Sequence, residues 1–390
     1  MPRLCVLVAL FCLSCGQAEP GRLPSETARP VADSAYEPRY AERFRLEPAG
    51  GAWILTIWPP WHDPAVPGSG LRYTLLPEGS GPSADDGRTV QLPVRRLVTT
   101  STTEVAHLEV LDMAEVLVGH SELDHPSSPS VRRQIESGSV AEMGGGSRLH
   151  PELLLEAAPD AVLADFMARS ELERLAHVEA AGVPIVIMPT FLEASPLGRA
   201  EWVVVTGVLL GRFDEAKAAF EEVETAYRAL AERVAADLER EPDRVAPTVF
   251  TGGPWNDVWY VPGGRSYTAQ FLADAGARYL WADEGSTGAL PLDIEAVYEK
   301  SLDAEVWLYP SSWSSLQQIV AADPRLGDFR AAREGKVYSN DRRTNGLGGN
   351  DFWESGAARP DRVLADLIRI FRPELLPAHE LIYHRQLEPE

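Results

Sequence analysis

Cysteine is nearly absent and sits at one end: Cys5, Cys12 and Cys15 are the only three in 390 residues. A chain processed at Cys15 keeps a single cysteine, so no internal disulfide framework can hold the fold. Positive charge is also scarce, with 36 Lys and Arg against 58 Asp and Glu and a formal net charge of −22. That balance argues against a nucleic-acid partner, and an anionic bilayer surface would repel it. Missing too is any apolar run long enough to span a bilayer. No Gly-x-Ser-x-Gly elbow, Gly-x-Gly-x-x-Gly fingerprint or phosphate loop ending in Gly-Lys-Ser/Thr occurs, which removes the common serine-hydrolase, dinucleotide and NTPase signals.

What is present begins with an N-terminus unlike the rest. Arg3 supplies a minimal positive segment, and residues 4–13 form an apolar run of signal-peptide length. Leu13-Ser14-Cys15-Gly16 resembles the lipobox of bacterial lipoproteins, with Cys12 standing where Leu is usual. Residues 1–14 are therefore read as a signal peptide and Cys15 as a lipidated N-terminus, the alternative being an ordinary secretory cleavage nearby. Residues 15–35, with Pro, Gly, Ser and Glu, suit a flexible tether.

The length calls for two packed units. Residues 36–95 are rich in Pro, Gly and Trp, with strands at 52–58, 71–76 and 89–92, and read as a β-rich extension packed on the first lobe. From residue 96 strands and helices alternate: strand 97–100, helix 103–113, strand 116–119, helix 151–158, strand 161–164, helix 169–181, strand 183–188. One long amphipathic helix follows at 213–239, about 40 Å at 1.5 Å per residue, long enough to join two units. Alternation then resumes with strands 248–251 and 258–261, helices 267–275 and 294–300, strands 306–309 and 336–339, and a helix at 360–371. Short apolar strands between helices indicate parallel sheets covered by helices. The fold expected is α/β: two Rossmann-like lobes with parallel-rich sheets, 96–210 and 242–372, joined by a connecting helix within 211–241 and followed by a tail, 373–390. An internal echo agrees: residues 152–164 align without gaps with 295–307, each a helix with an early Glu that ends at Asp-Ala and feeds a strand.

These segments resemble the solute-binding component of ABC importers, the periplasmic binding protein type 2 class with a rigid helical connector that carries ferric siderophores, haem or cobalamin. The resemblance runs from about residue 96 to 377. Its motifs are Arg96-Leu-Val-Thr-Thr-Ser-Thr-Thr-Glu104, Val116-Leu-Val-Gly119, Val140-Ala-Glu-Met-Gly144, Pro151-Glu152 to Asp160, Gly182-Val-Pro184, Gly335-Lys-Val-Tyr338 and the terminal NDFWESGAARPDRVLADLIRIFRPELLP. It implies a non-catalytic, monomeric, membrane-anchored capture protein outside the cytoplasm, without a cofactor of its own, that delivers an iron complex, a ferric siderophore first, to a permease and an ATPase. It also implies that Glu152 and Glu295 dock onto the permease. A carboxylate at a helix start is stabilised by the dipole and stays exposed for a basic partner, although helix stability alone would also account for it.

Ligands of open α/β sheets bind outside the carboxyl ends of the strands. Candidate contacts there are Ser101 and Thr102, at a helix N-terminus that could bind an oxygen or merely be capped. Gly144-Gly145-Gly146-Ser147 could admit a ligand or be a plain turn. Trp255, Trp259, Tyr267 and Trp313 lie on Gly- and Pro-flanked loops and read as a stacking surface or as lobe packing. Arg342 and Arg343 follow a strand and lead into Asn350–Asp361, where Trp353 and Arg359 could meet an anionic chelate, or Arg359 could pair with Asp361.

Two rivals are weaker. His379 and His384 lie five apart, about 140° out of line on a helix, so residues 379–384 read as a solvated tail helix rather than a zinc site. A bare-metal binder would need His107, His120, His125 and His150 to converge, and none is paired at ligand spacing. Haem, with Tyr267, Tyr260 or a histidine as an axial ligand, is closer to the main reading.

Overall fold

Apolar runs such as Leu97–Thr99, Ala161–Ala164 and Ile185–Ile187 are buried on both faces, as strands of a helix-covered parallel sheet must be. The computed structural model describes residues 35–66, 68–80, 88–144, 149–310 and 313–388. Residues 1–34, which include those read from sequence as a signal peptide, Cys15 and most of the expected tether, and Gly145-Gly146-Ser147 lie outside them.

The first lobe is a five-stranded parallel sheet in the order Ala141–Glu142, Leu117–His120, Leu97–Thr99, Ala161–Ala164, Ile185–Ile187. The second orders Arg278–Tyr279, Thr248–Thr251, Val306–Leu308 and Val337–Ser339 in parallel and closes with antiparallel Arg385–Gln386. The sequence echo maps onto equivalent places. Helix Pro151–Ala157 feeds a strand beside Leu97–Thr99, and helix Ile294–Ser301 feeds one beside Thr248–Thr251. The fold is thus two α/β lobes of related construction with a β-rich extension ahead of them.

The connecting helix, Phe213–Arg240, buries Ala216, Phe220, Val223, Tyr227 and Val234 along one face. Its start packs on helix Val203–Leu209 so closely that a Cβ on Gly207 would lie 2.3 Å from that of Ala216. Farther along, it packs on helix Pro360–Phe371, and Asp237 accepts from buried Arg372 at 2.9 Å. A single rigid rod therefore touches both lobes.

The extension forms a four-stranded sheet, Phe44–Ala49, Ala52–Ile57, Leu71–Pro77 and Arg88–Leu92, with the last pair parallel. It covers the open edge of the first lobe: the Tyr73 hydroxyl donates to Ile185 O at 2.9 Å and accepts from Ile187 N at 3.2 Å. Buried Glu201 accepts from Tyr36 Oη and from the amides of Arg39, Tyr40 and Ala41, all at 2.7–2.8 Å, which fixes the chain's entry. Tyr73→Phe leaves a buried strand-edge donor and acceptor unpaired, so we expect a loss of about 1–3 kcal/mol in denaturant unfolding. An unchanged midpoint would contradict the edge-capping role.

Two expectations are corrected, and some elements are new. Residues 169–181 form two short helices, Arg169–Arg174 and Ala176–Ala180, rather than one. Helices Pro196–Glu201 and Val203–Leu209 and strand Phe44–Ala49 were not anticipated. Residues 379–384 are not helical: buried Asp366 draws this segment inward, and the chain then pairs with Val337–Ser339.

Candidate functional site

Loops at the carboxyl ends of both sheets converge on a cavity of about 430 Å³. The first lobe contributes Met167, beyond strand Ala161–Ala164, and Phe191 and Leu192 in the turn after Ile185–Ile187. The second contributes Thr251 and Gly252, Tyr260 and Pro262, Tyr267 and Phe271, Tyr309, and Phe352 with Trp353. No side chain among the described residues lining it carries a full charge. Gly252 is required there: its φ is +83°, and a Cβ would lie 2.6 Å from Tyr260 O.

Each aromatic wall is held from behind. Tyr267 opens a helix capped by Ser266, whose Oγ accepts from Ala269 N at 3.2 Å. Across the lobes, the buried Arg199 guanidinium stands 4.2 Å over the Tyr267 ring, a desolvated cation–π contact. Tyr309 ends its strand in the left-handed region at φ +57°, a cost of about 1–2 kcal/mol that surrounding contacts offset. Its hydroxyl lies 3.1 Å from His384 Nε2, and His384 Nδ1 lies 2.9 Å from Asp366 Oδ2. With Nδ1–H donating to the carboxylate, Nε2 accepts from Tyr309. Phe352 and Trp353 meet edge to face at 4.8 Å.

The segment carrying these last two aromatics is clamped to the opposite lobe. Asn345 Nδ2 donates to Asp124 O at 2.6 Å and Pro126 O at 2.9 Å, and the Glu354 carboxylate accepts from Ser127 N and Ser128 N at 2.6 and 2.7 Å. Thr103 Oγ1 donates to Trp353 O at 3.3 Å. Burial pushes Glu354 up to about 7 against the lowering effect of those two amides, and Asp351 and Glu109 add to the rise. A folded value above the unfolded one means stability that is present at low pH and lost as pH rises from about 4.5 through about 7. Buried Glu193, also raised to about 7, acts in the same direction. Wild type should therefore lose, relative to Glu354→Gln, on the order of 2–3 kcal/mol of unfolding free energy between pH 5 and 8. A constant difference across that range would contradict the assignment.

Of the residues anticipated from sequence, Tyr260, Tyr267 and Trp353 line the cavity. Trp259 does not: it is fully buried against Phe250 and Trp307 at 6.3 and 5.8 Å, its indole donating to Thr251 O at 3.0 Å. Trp313 packs edge-on against Trp307 at 6.4 Å, and Trp255 stands on an exposed hairpin. Ser101 caps its helix, with Oγ accepting from Thr103 N, and Thr102 begins that helix. Neither lines the cavity. Arg359 is held by both oxygens of Asp361 at 2.9 and 2.7 Å, and Arg343 pairs with Asp351 at 2.8 Å. Arg342 lines a separate groove with Arg369 and the tail. The arginines expected to greet an anion thus lie outside the cavity. Glu152 and Glu295 are exposed in the first turns of their helices.

The four candidate histidines do not gather. His107 and His120 are buried, bonded to Thr206 and Thr99, and burial lowers both to about 3. Sequence reasoning missed Phe191, Leu192, Tyr309 and Phe352. Only their places just beyond strands, or in the Asn350–Asp361 stretch, could have flagged them.

Comparison with known proteins agrees with this architecture. Residues 97–344 match the family model described as periplasmic binding protein. An uncharacterized lipoprotein of Methanocaldococcus jannaschii is 25% identical over 299 residues, covering 74% of this chain and 68% of the relative. A second from the same organism is 23% identical over 354 residues, covering 86% and 83%. Among solved structures, a periplasmic heme binding protein from Pseudomonas aeruginosa superposes with a TM-score of 0.55 at 21% identity, covering 75% of this chain and 98% of that one. An ABC-type Fe3+-hydroxamate transport system structure from Saccharomonospora viridis gives 0.54 at 18%, covering 72% and 94%. At these identities the structures establish the fold.

Proposed function

Because the chain belongs to the periplasmic binding protein family, we propose that it is the extracytoplasmic, lipid-anchored binding component of an ABC importer, non-catalytic, which captures a bulky metal chelate between its lobes. The observation that carries this reading is the aromatic cavity at the carboxyl ends of both sheets. Its uncharged, ring-rich lining favours a flat chelate of low net charge, a haem or corrinoid, over a multiply anionic ferric siderophore. The phenols of Tyr260 and Tyr267, on that lining, are hard oxygen donors suited to a ferric centre. The heme and Fe3+-hydroxamate structures noted above support metal chelates as the ligand class. The lipoprotein relatives support an anchor at Cys15, and among the described residues no helix is long and apolar enough to cross a membrane.

The same reading divides the chain at the boundaries inferred from sequence and assigns Glu152 and Glu295 to permease docking. The exposed Glu295–Arg325 contact at 3.7 Å is weak enough to exchange for a permease arginine. Titration of the purified chain with hemin, dicyanocobinamide and a ferric tris-catecholate, followed by tryptophan quenching and visible absorbance, tests it. Saturable binding of hemin or the corrinoid without the catecholate is the expected result. Binding of the catecholate alone would restore the siderophore reading, and binding of none would end the proposal.

A further inference from the structure

Apart from the ligand cavity, the second lobe carries a groove of about 480 Å³ where its last helix, its last parallel strand and the returning tail meet. Alternation along Val337–Ser339 buries Val337 and Ser339 and turns Tyr338 toward this groove. Helix Pro360–Phe371 presents Arg369 and Ile370 from its final turn, and residues 379–381 supply the tail's side. Asp366 holds that tail in place, accepting from His379 Nε2 at 2.7 Å and from Ile382 N at 2.8 Å.

The chemistry of this groove is the reverse of the ligand cavity's. Arg342 and Arg369 both line it, and among the described residues neither is ion-paired. Nearby arginines do meet acids: Arg343 takes Asp351, Arg359 takes Asp361 and Arg385 takes Asp341. Arg369 uses Nη1 on Pro373 O at 3.1 Å, and the helix C-terminus alone would account for its place. Arg342 has no such account. It lies outside any helix, its amide fixed on Tyr383 O at 3.1 Å, and its exposed guanidinium has no partner among the described residues. The hydroxyl of half-buried Tyr338 has none either, and while burial raises that phenol, the Arg369 charge beside it opposes the rise. Glu380 lines the groove too, exposed, and pairs with neither arginine. Two guanidinium groups turned to one concave surface repel each other, and an oxyanion between them replaces that repulsion with charge-assisted hydrogen bonds. Ile370 and Leu381 add apolar surface beside them.

We propose that this groove is a second binding site, for a small soluble oxyanion: a carboxylate or phosphate group on a short apolar body, received by Arg342 and Arg369, with the Tyr338 hydroxyl as a further donor and Ile370 and Leu381 against the body. The net charge of −22 sets the chain against an anionic membrane as the source of that group. The inference goes beyond the import reading and holds whatever fills the cavity between the lobes. Isothermal titration of the purified full chain with inorganic phosphate, phenyl phosphate and benzoate, at an ionic strength fixed with chloride, tests it. Phenyl phosphate should bind saturably at one site per chain and more tightly than inorganic phosphate. Arg342→Gln should raise its Kd about tenfold or more, and Arg342→Lys, which keeps the charge but not the planar fork, should recover part of the loss. Arg45→Gln, the same charge change on the exposed surface of the β-rich extension, should leave the Kd unchanged. The Arg342 guanidinium is exposed and unpartnered, so the unfolding midpoint of Arg342→Gln should match wild type. Absence of saturable binding by all three anions, or binding that Arg342→Gln leaves intact, overturns the proposal. Loss of dicyanocobinamide affinity in Arg342→Gln would instead assign this arginine to the chelate site. Arg342-dependent binding to phosphatidylglycerol vesicles without the soluble anions would make the occupant a lipid headgroup and overturn the soluble assignment.

Discussion

Asp366→Ala should destabilise the protein by about 3–5 kcal/mol, the largest single effect expected from one polar side chain. Asp366 is fully buried and accepts from Ile382 N, Tyr383 N, His384 N, His384 Nδ1 and His379 Nε2 at 2.7–3.1 Å. Burial alone would raise this carboxyl. The hydrogen bonds from His384 and His379 outweigh it and hold the group below its usual value. Removing it strands three backbone amides and a buried imidazole, each costly to leave unpaired. The tail residues 382–386 should loosen, and with them the His384 support for Tyr309 on the cavity wall. Chemical denaturation measures the loss, and Asp366→Asn, which keeps two acceptor lone pairs but not the charge, should fall between the two. A change below about 1 kcal/mol would show that the tail is held by other contacts.

Trp353→Ala should do the opposite: little to the fold and much to the ligand. The side chain is 46% exposed, so its removal should cost less than about 1 kcal/mol of stability. It also lines the cavity beside Phe352, where stacking and burial of an aromatic face contribute about 1–3 kcal/mol to a bound flat ligand. The expected outcome is a 10- to 100-fold rise in Kd for whichever chelate binds wild type, with an unchanged unfolding midpoint. Unchanged affinity would remove Trp353 from the ligand wall and leave it as a closure between lobe and loop.

Much of the scaffold was legible because periodicity carries it. Strands 161–164 and 248–251 and helix 360–371 stand at the residues where alternation put them, and the connecting helix, anticipated at 213–239, spans Phe213–Arg240. Helix Val203–Leu209 escaped because every residue in it is buried, which erases the amphipathic signal, and its Val-Val-Val start favours strand by composition. Strand Phe44–Ala49 was hidden by Glu47 and Pro48, and only pairing with Ala52–Ile57 makes it one.

The site was less legible, since exposure and partnership are set by tertiary contacts. Trp255 and Trp259 look alike as loop aromatics, yet the two-residue turn between their strands sends one outward and one into the core. Arg343 and Arg359 read as anion receptors until Asp351 and Asp361 take them. Tyr309 gave no local signal, because its support comes from His384, 75 residues away.

The central claim is that one chelate is gripped by both lobes at once. Hydrogen–deuterium exchange of the chain with and without bound hemin or dicyanocobinamide tests it most directly. The account predicts new protection at residues 190–192 of the first lobe together with 251–252, 260–268 and 352–353 of the second. Protection confined to one lobe, or centred on the groove of Arg342, Arg369 and the tail, would contradict it.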